Sequence, residues 1–299
     1  MTDPLNGNLG RVILGDNLEV LAALPAECID LVYIDPPFNT GKRQELRRIE
    51  VVRDADGDRT GFQGQRYRTL ETTNHGYLDV FDDYFAFLEP RLVEIRRVLK
   101  PTGSLYFHID YREVHYCKVL LDAIFGRECF LNELIWAYDY GARTTKKWPP
   151  KHDNILVYVK DPAAYYFSTE EMERIPYMAP GLVGPEKAAR GKLPTDTWWH
   201  TIVPTNGKER TGYPNQKPLG ILRRIVQASC PPGGIVADFF AGSGTTGAAA
   251  LESGRRFLLA DSNPEAFEVM HHRLCGQAAV TFEGGSVIPP EGTSGTTQA

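Results

Sequence analysis

Hydrophobic and polar positions near the start of the chain follow the pattern of a strand–helix–strand unit. Residues 11–14 form a short apolar run, and residues 29–34 form a longer one of the kind found in buried parallel strands. Between these runs, Leu18, Leu21 and Leu24 recur at the spacing of one helix face. The pattern therefore predicts two strands joined by a helix.

The same alternation continues to about residue 139 and returns after residue 216, with one more strand predicted between these points. Leu88, Leu92, Ile95 and Leu99 form an apolar stripe and predict a long helix that faces the core. Further strands are predicted near residues 104–109, 131–136, 155–159, 235–239 and 257–260, and further helices near 114–121, after Pro218, and near 244–252 and 263–274. Together they predict a doubly wound, Rossmann-like α/β fold.

Two segments interrupt this alternation and suggest how the chain is divided. Residues 42–68, within a basic loop that we take to extend to residue 76, predict an exposed hairpin or mobile loop, and residues from 139 to about 216 are rich in Pro, Gly and aromatic side chains. We expect residues 10–160 and 216–280 to be two halves of one domain, residues 161–215 to be an inserted region, and residues 281–299 to be a disordered tail.

The overall composition excludes some classes of protein. The 33 Lys and Arg and 38 Asp and Glu residues give a formal net charge of -5, so the protein is not basic over its whole surface. No apolar run approaches the ~20 residues that cross a bilayer, and the N-terminus lacks the features of a signal peptide. The five cysteines are scattered, as is typical of a reducing compartment. These features predict a cytoplasmic protein with no membrane partner.

A glycine-rich turn between a predicted strand and a predicted helix is the strongest nucleotide-binding signal. It runs Asp238-Phe239-Phe240-Ala241-Gly242-Ser243-Gly244-Thr245-Thr246-Gly247. Its glycines match a dinucleotide fingerprint, and Asp261 follows the next strand, where an acid would hold a ribose. A nicotinamide cofactor is one interpretation. However, Asp238 would repel a pyrophosphate and attract an ammonium or sulfonium centre, which favours S-adenosylmethionine.

A second motif, Asp35-Pro36-Pro37-Phe38, ends the predicted strand 29–34. It places a carboxylate, a proline carbonyl and an aromatic ring at the carboxyl end of a parallel strand, where open α/β sheets bind ligands. Two acceptors beside a stacking face suit the exocyclic amino group of a planar base. On its own, the motif is also consistent with a simple strand-ending turn.

Taken in order, these motifs resemble those of the amino-group DNA methyltransferases of the permuted β type. The similarity covers roughly residues 10–160 and 215–275 and includes Gly15-Asp16-Asn17-Leu18, Asp30 to Gly41, Gly103 to Phe107, Gln216 to Leu219 and Asp238 to Thr246. In that family the catalytic half precedes the target-recognition region and the cofactor motif comes last. The resemblance implies a circularly permuted methyltransferase domain with residues 161–215 as the target-recognition region.

The resemblance also implies roles for individual residues. Asp35 and the carbonyl of Pro36 would accept hydrogen bonds from the target amino group, and Phe38 would stack on a flipped-out base beside Pro37. The cofactor would be S-adenosylmethionine, with Asp238 near its amino acid end and Asp261 on its ribose. The full set of predicted cofactor-binding residues is Asp16, Lys217, Asp238, Phe240, Gly242, Ser243, Gly244, Thr245 and Asp261.

The resemblance leaves the target base open between adenine N6 and cytosine N4. In the family, Asp before Pro-Pro accompanies adenine more often, so Asp35 favours adenine. Cytosine C5 methylation needs an attacking thiolate, which that family presents from a Pro-Cys pair, and no cysteine here follows a proline. A non-catalytic DNA-binding regulator is the alternative from a different class of protein.

Positive charge is concentrated in the irregular segments. Residues 42–68 carry a net +3 and residues 139–224 a net +5, with the densest cluster at Arg143, Lys146, Lys147 and Lys151. We expect this cluster to contact phosphates of double-stranded DNA. The histidines lack metal-ligand spacing, so no metal is expected. The small recognition region favours a homodimer.

Overall fold

The computed structural model describes residues 3–39, 83–139, 143–204, 206–277 and 279–284, together with the backbone of three strands and residue 56 between residues 42 and 79. The strands are β1 (Gly10–Leu14), β2 (Ile29–Ile34), β3 (Lys42–Arg53), β4 (Arg59–Thr60), β5 (Arg66–Asp79), β6 (Leu99–Ile109), β7 (Phe130–Ala137), β8 (His152–Val159), β9 (Thr197–Trp199), β10 (Ile235–Asp238), β11 (Arg256–Asp261) and β12 (Val280–Glu283). The helices are α1 (Asn17–Ala23), α2 (Tyr84–Val98), α3 (Val114–Phe125), α4 (Pro185–Arg190), α5 (Leu219–Ser229), α6 (Thr245–Glu252) and α7 (Pro264–Leu274).

Nine of these strands form one sheet, in the order β12-β1-β11-β10-β2-β6-β8-β7-β9. The strands from β12 to β6 are parallel, whereas β8 runs antiparallel to both β6 and β7. The first strand of the chain pairs with β11, near the end of the chain, with Leu14 opposite Asp261. The two halves predicted from the sequence therefore form one continuous sheet, as expected for a permuted domain.

Helices cover both faces of this sheet. Apolar side chains of α1, α2 and α3 belong to one buried cluster, and those of α5, α6 and α7 belong to a second cluster on the opposite face. Successive residues of β2 divide between the clusters, Val32 and Ile34 packing on the first and Leu31 and Tyr33 on the second. The predicted doubly wound α/β fold is confirmed.

The polar segment after β2 forms a separate hairpin sheet, in the order β3-β5-β4. Strands β3 and β5 pair antiparallel, with Lys42 opposite Asp79 and Arg53 opposite Tyr67. Of the two interpretations that the sequence allows for this segment, the hairpin is confirmed.

Two boundaries differ from those predicted. Strand β12 pairs in parallel with β1, so the expectation of a disordered tail from residue 281 is wrong for residues 281–283; residues 285–299 lie outside the described part. Strand β6 begins at Leu99 rather than Ser104, because β2 and β6 already pair there before a bulge. In the inserted region, β9 pairs with β7 and Trp198 is buried, which ties that region to the main sheet.

Among the described residues, no helix is both long and apolar enough to span a bilayer. Within that same part of the chain, no group of three or more His, Cys, Asp or Glu side chains is arranged to hold a metal ion.

Candidate active site

Three carboxylates meet at the carboxyl edge of the parallel strands. Asp35 follows β2 directly, and Asp238 and Asp261 are the last residues of β10 and β11. These strands are neighbours in the sheet, and all three residues line one cavity of about 280 Å³, which we call the first cavity. The two motifs that are distant in sequence are therefore brought together by strand order.

The glycine-rich turn forms one wall of the first cavity and leads into α6. Gly242 and Gly244 have φ of +48° and +70°, in the left-handed region that favours glycine. A Cβ on Gly244 would lie 2.9 Å from Cγ of Met270, so side chains are also excluded by contact with α7. Gly242 lines the first cavity, whereas Gly244 is not among its lining residues and instead caps α6.

Asp238 lies beneath this turn. Its carboxylate accepts hydrogen bonds from the hydroxyl of Thr246 at 2.6 Å and from the backbone N–H of Phe240 at 3.0 Å. Burial, assisted by the neighbouring carboxylates of Asp35 and Asp261, nevertheless raises the pKa of Asp238 to about 7. A cationic ligand would relieve both effects, whereas a pyrophosphate would worsen them.

Asp261 ties the turn to the next helix. Its two carboxylate oxygens accept from the backbone N–H groups of Gly242 at 2.8 Å and Asn263 at 2.9 Å. Burial raises the pKa of Asp261 despite these bonds. The N–H of Ser262 also bonds this carboxylate, but a carboxylate has about four acceptor sites, so a further donor such as a ribose hydroxyl can still be accommodated.

A polar cluster on α1 and α2 closes the opposite side of the first cavity. The guanidinium of Arg91 donates to the side-chain oxygens of Asn17 at 2.6 Å and Asp16 at 3.2 Å, and it lies 4.0 Å from the ring centre of Phe87. The amide of Asn17 donates to the carbonyl of Phe239 at 2.8 Å. Sequence reasoning found Asp16 but missed Asn17, Phe87 and Arg91. Arg91 sits within an ordinary amphipathic helix and carries no local signal.

A second cavity of about 470 Å³ lies beside the first. Phe38 borders it together with Trp136, Tyr138 and Asp153, and residues 213–217 line both cavities. Tyr213 and the other residues of this shared segment were not predicted, apart from Lys217. Asp35 lines the first cavity and Phe38, three residues later, lines the second, so ligands in the two cavities would be neighbours at this motif.

Asp35 and Lys217 form an ion pair at this junction. The ammonium of Lys217 is 2.5 Å from Oδ2 of Asp35 and 5.1 Å from the ring centre of Phe38. The other oxygen of the carboxylate, Oδ1, is buried and finds no hydrogen-bond partner among the described residues. The hydroxyl of Tyr84 donates to the carbonyl of Pro37 at 2.6 Å, which anchors the loop that carries Asp35 and Pro36. A buried acceptor without a donor costs about 1–3 kcal/mol, so this oxygen, beside the first cavity, is suited to accept from an N–H group of a ligand.

Most of the predicted cofactor-binding residues lie around the first cavity. Those that line it are Asp16, Lys217, Asp238, Phe240, Gly242, Ser243, Thr245 and Asp261. Lys217 was predicted only at the cofactor, but its ion pair with Asp35 also places it beside the catalytic motif. Of the four carboxylates around the cavity, Asp16 and Asp35 are paired with Arg91 and Lys217, whereas Asp238 and Asp261 suit a ligand with ammonium and sulfonium charges, a description that S-adenosylmethionine fits.

The predicted DNA-binding cluster lies on the connection between β7 and β8. Arg143, Lys146 and Lys147 are exposed, and Lys151 is partly buried. Because the connection follows the C-terminal end of β7, next to Tyr138, it leaves the sheet at the same edge as the second cavity. None of the four side chains lines either cavity.

Comparison with known proteins agrees with this geometry. The family description N6_N4_Mtase, DNA methylase, matches residues 29–272. The chain is 31% identical over 277 residues to a protein of Escherichia coli (strain K12) named DNA adenine methyltransferase YhdJ, covering 90% of this chain and 84% of that protein.

Solved structures of low sequence identity share the fold. The M1.HpyAVI–SAM complex superimposes with a TM-score of 0.56 at 18% identity, covering 88% of this chain and 98% of that one. The PvuII DNA methyltransferase, described as cytosine-N4-specific, gives a TM-score of 0.59 at 17% identity, covering 90% and 87%. A Rossmann-like methyltransferase fold therefore accounts for nearly the whole chain.

Proposed function

The chain belongs to the N6_N4_Mtase family of DNA methylases, whose methyl donor is S-adenosylmethionine, and from this premise we propose that it methylates the N6 amino group of adenine. The observation that carries the proposal is the unpartnered Oδ1 of Asp35, which lines the first cavity three residues before Phe38 of the second. The choice of adenine is supported by Asp35 before Pro36-Pro37 and by the adenine methyltransferase of Escherichia coli at 31% identity.

In this proposal, the second cavity receives the flipped-out base and Phe38 stacks on its ring. Oδ1 of Asp35 and the carbonyl of Pro36 accept the two N–H groups of the amino nitrogen. The two acceptors hold the nitrogen with its lone pair directed toward the first cavity. Lys217 keeps the Asp35 carboxylate turned so that Oδ1, not Oδ2, faces the base.

The first cavity holds the cofactor, which supplies an electrophilic methyl group on sulfur. Asp238 would pair with its ammonium group and Asp261 would accept from its ribose. The bound cofactor would supply its methyl group to the amino nitrogen and would leave as a neutral thioether that keeps the bonding electrons. The nitrogen would then give up one proton, and Asp35, which accepts one of its N–H groups, is able to take it.

Basic residues on the β7–β8 connection are proposed to hold the DNA backbone. Arg143, Lys146 and Lys147 are exposed at the same sheet edge as the base cavity, so phosphate contacts there would present the base to Phe38. Lys151, at the end of the same connection, completes this surface. We place this reaction in the prokaryotic cytoplasm. Two copies of the chain on one duplex would together provide two recognition regions, which would compensate for the small size of each.

A single labelling experiment tests the reaction and the base. The full chain is incubated with methyl-labelled cofactor and unmethylated duplex DNA of mixed sequence, and the DNA is then digested to nucleosides. We expect the label on N6-methyladenine. Label on N4-methylcytosine would contradict the adenine assignment, and no labelled nucleoside would favour a non-catalytic DNA-binding protein.

The same assay tests the role of Asp35. Asp35→Ala is expected to abolish transfer while cofactor binding by calorimetry persists, since Asp238 and Asp261 remain. Glu252→Ala, which removes an exposed ion pair with Arg223 on the α5–α6 surface, serves as the control and should transfer at the parent rate. Transfer by Asp35→Ala at the parent rate would contradict the assignment.

A further inference from the structure

A chain of polar side chains runs behind Phe38, across three strands of the sheet. The hydroxyl of Tyr33 lies 2.7 Å from Nδ1 of His108, and Nε2 of His108 lies 3.2 Å from Oδ2 of Asp153. Tyr138 donates to the other oxygen of Asp153 at 3.1 Å. We call these four residues the His108 chain. Tyr33 borders the first cavity, and Asp153 and Tyr138 border the second.

The protonation of each partner selects one arrangement of hydrogen bonds. Burial raises the pKa of Tyr33 well above its usual range, so its hydroxyl keeps its proton and donates to Nδ1 of His108. Burial acts to raise the pKa of Asp153, but the hydrogen bonds from His108 and Tyr138 together with the electrostatic effects of His108 and Lys217 leave that pKa lowered. The carboxylate therefore accepts from Nε2–H, and both ring nitrogens are satisfied by one tautomer.

These bonds fix the plane of a ring that supports Phe38. The imidazole of His108 is fully buried, and its centre lies 5.9 Å from that of Phe38 with an interplanar angle of 33°. Trp136 packs edge-on against the imidazole at 5.6 Å and 83°. Rotation of His108 about its side-chain bonds would break both hydrogen bonds and remove the surface on which Phe38 rests.

We propose that the His108 chain positions Phe38 against the target base and that the rate of methyl transfer depends on it. This inference rests on the proposed function, because it assigns Phe38 to base stacking. Tyr33, His108 and Asp153 act in it as positioning residues: although Tyr33 and Asp153 border the two cavities, the hydroxyl of Tyr33 and both carboxylate oxygens of Asp153 are engaged within the His108 chain. A small displacement of the base from its reacting position lowers the rate of transfer steeply.

The test removes one hydrogen bond at each end of His108. Tyr33→Phe leaves Nδ1 without its donor, and Asp153→Ala leaves Nε2–H without its acceptor. We expect each to lower kcat for DNA methylation by about tenfold or more while the KM for S-adenosylmethionine changes by less than about twofold. Asp153→Asn should recover most of the lost rate, because its amide oxygen can still accept from Nε2–H.

Tyr106→Phe is a matched control for loss of a buried tyrosine hydroxyl. Tyr106 lies opposite Tyr33 on the neighbouring strand β6, and its hydroxyl pairs with Ser229 at 2.7 Å, outside the His108 chain. We expect a fall in Tm similar to that of Tyr33→Phe, with kcat within about twofold of the parent. If both tyrosine variants lowered kcat equally, the effect would be one of general stability and the inference would be wrong.

A double variant shows whether the effect passes through Phe38. In a Phe38→Leu background, Tyr33→Phe should change the single-turnover rate by less than about twofold, because the ring that it positions is gone. If Tyr33→Phe still lowered the single-turnover rate tenfold in that background, this inference would be overturned but the proposed function would not. A parent protein that transfers no methyl group to any DNA would overturn the proposed function, and the inference with it.

Discussion

At the scale of single residues, the burial of Asp238 links the stability of the protein to its ligand. Its pKa of about 7 lies above the ordinary value of 3.8 for an unfolded chain. Between these two pH values, the folded state therefore keeps a proton on Asp238, whereas the unfolded state has released it. The stability that this proton contributes is complete below about pH 4 and is lost as the pH rises through 7. Above pH 7 the ligand-free protein buries an uncompensated charge.

Asp238→Asn should therefore stabilise the ligand-free protein at high pH relative to low pH. We expect the free energy of unfolding of the variant, minus that of the parent, to be more positive at pH 8 than at pH 4 by roughly 2–4 kcal/mol. Urea unfolding at the two pH values measures this difference. The exposed variant Glu252→Gln should show no such change, and a pH-independent difference for Asp238→Asn would contradict the raised pKa.

At the scale of elements, the start of α6 depends on a glycine for two separate reasons. Gly244 has φ +70° and lies against Met270 of α7, whereas Gly254 has φ +67° and no atom within 4 Å of the point where a Cβ would lie. Gly254→Ala therefore measures the backbone cost alone, about 1 kcal/mol. Gly244→Ala should cost about 1–2 kcal/mol more, because α6 and α7 must also separate. Equal losses in Tm would show that the contact with Met270 is easily relieved.

The connection between β7 and β8 is the element proposed to hold DNA. Replacing both Lys146 and Lys147 by Ala should lower the slope of log Kd against log salt concentration by about two, the amount expected for two lost phosphate contacts. Lys160→Ala, beyond the opposite end of β8, is the control and should leave the slope unchanged. DNA binding titrated at several salt concentrations provides the slopes. Unchanged slopes in the double variant would place the phosphates elsewhere.

The elements also show why only part of the site is readable from the sequence. Asp35, Asp238 and Asp261 are predictable because each ends an apolar run, and parallel strands end at a common edge. The contacts of Arg91 with Asn17, and of Lys217 with Asp35, join residues far apart in the chain and have no local pattern. The strand β12 was missed because its four residues gain their pairing only from β1, at the other end of the chain.

At the scale of the whole molecule, the sheet combines the two halves of the chain so closely that their order should not matter. A permutant can begin at Ala179 and run to Gly284. A flexible linker of about 12 residues then joins Gly284 to Asp3, and the chain ends at Met178. This permutant keeps every strand of the sheet. Met178 is 94% exposed, so the new ends lie on the surface. We expect methylation activity within about tenfold of a linear control spanning residues 3–284 and a single unfolding transition. An active control beside an inactive permutant would show that the chain order itself is needed.

The free oxygen of Asp35 has a consequence for turnover. On the proposed reaction, an unmodified amino group offers two N–H donors to Asp35 and Pro36, but the methylated product retains only one. The product therefore leaves one of the two acceptors without a partner, at a cost of about 1–3 kcal/mol. This cost corresponds to binding of the methylated base that is roughly five- to 150-fold weaker. The site that binds an unmodified base thus favours release of the same base once it is methylated, and it disfavours a second methylation.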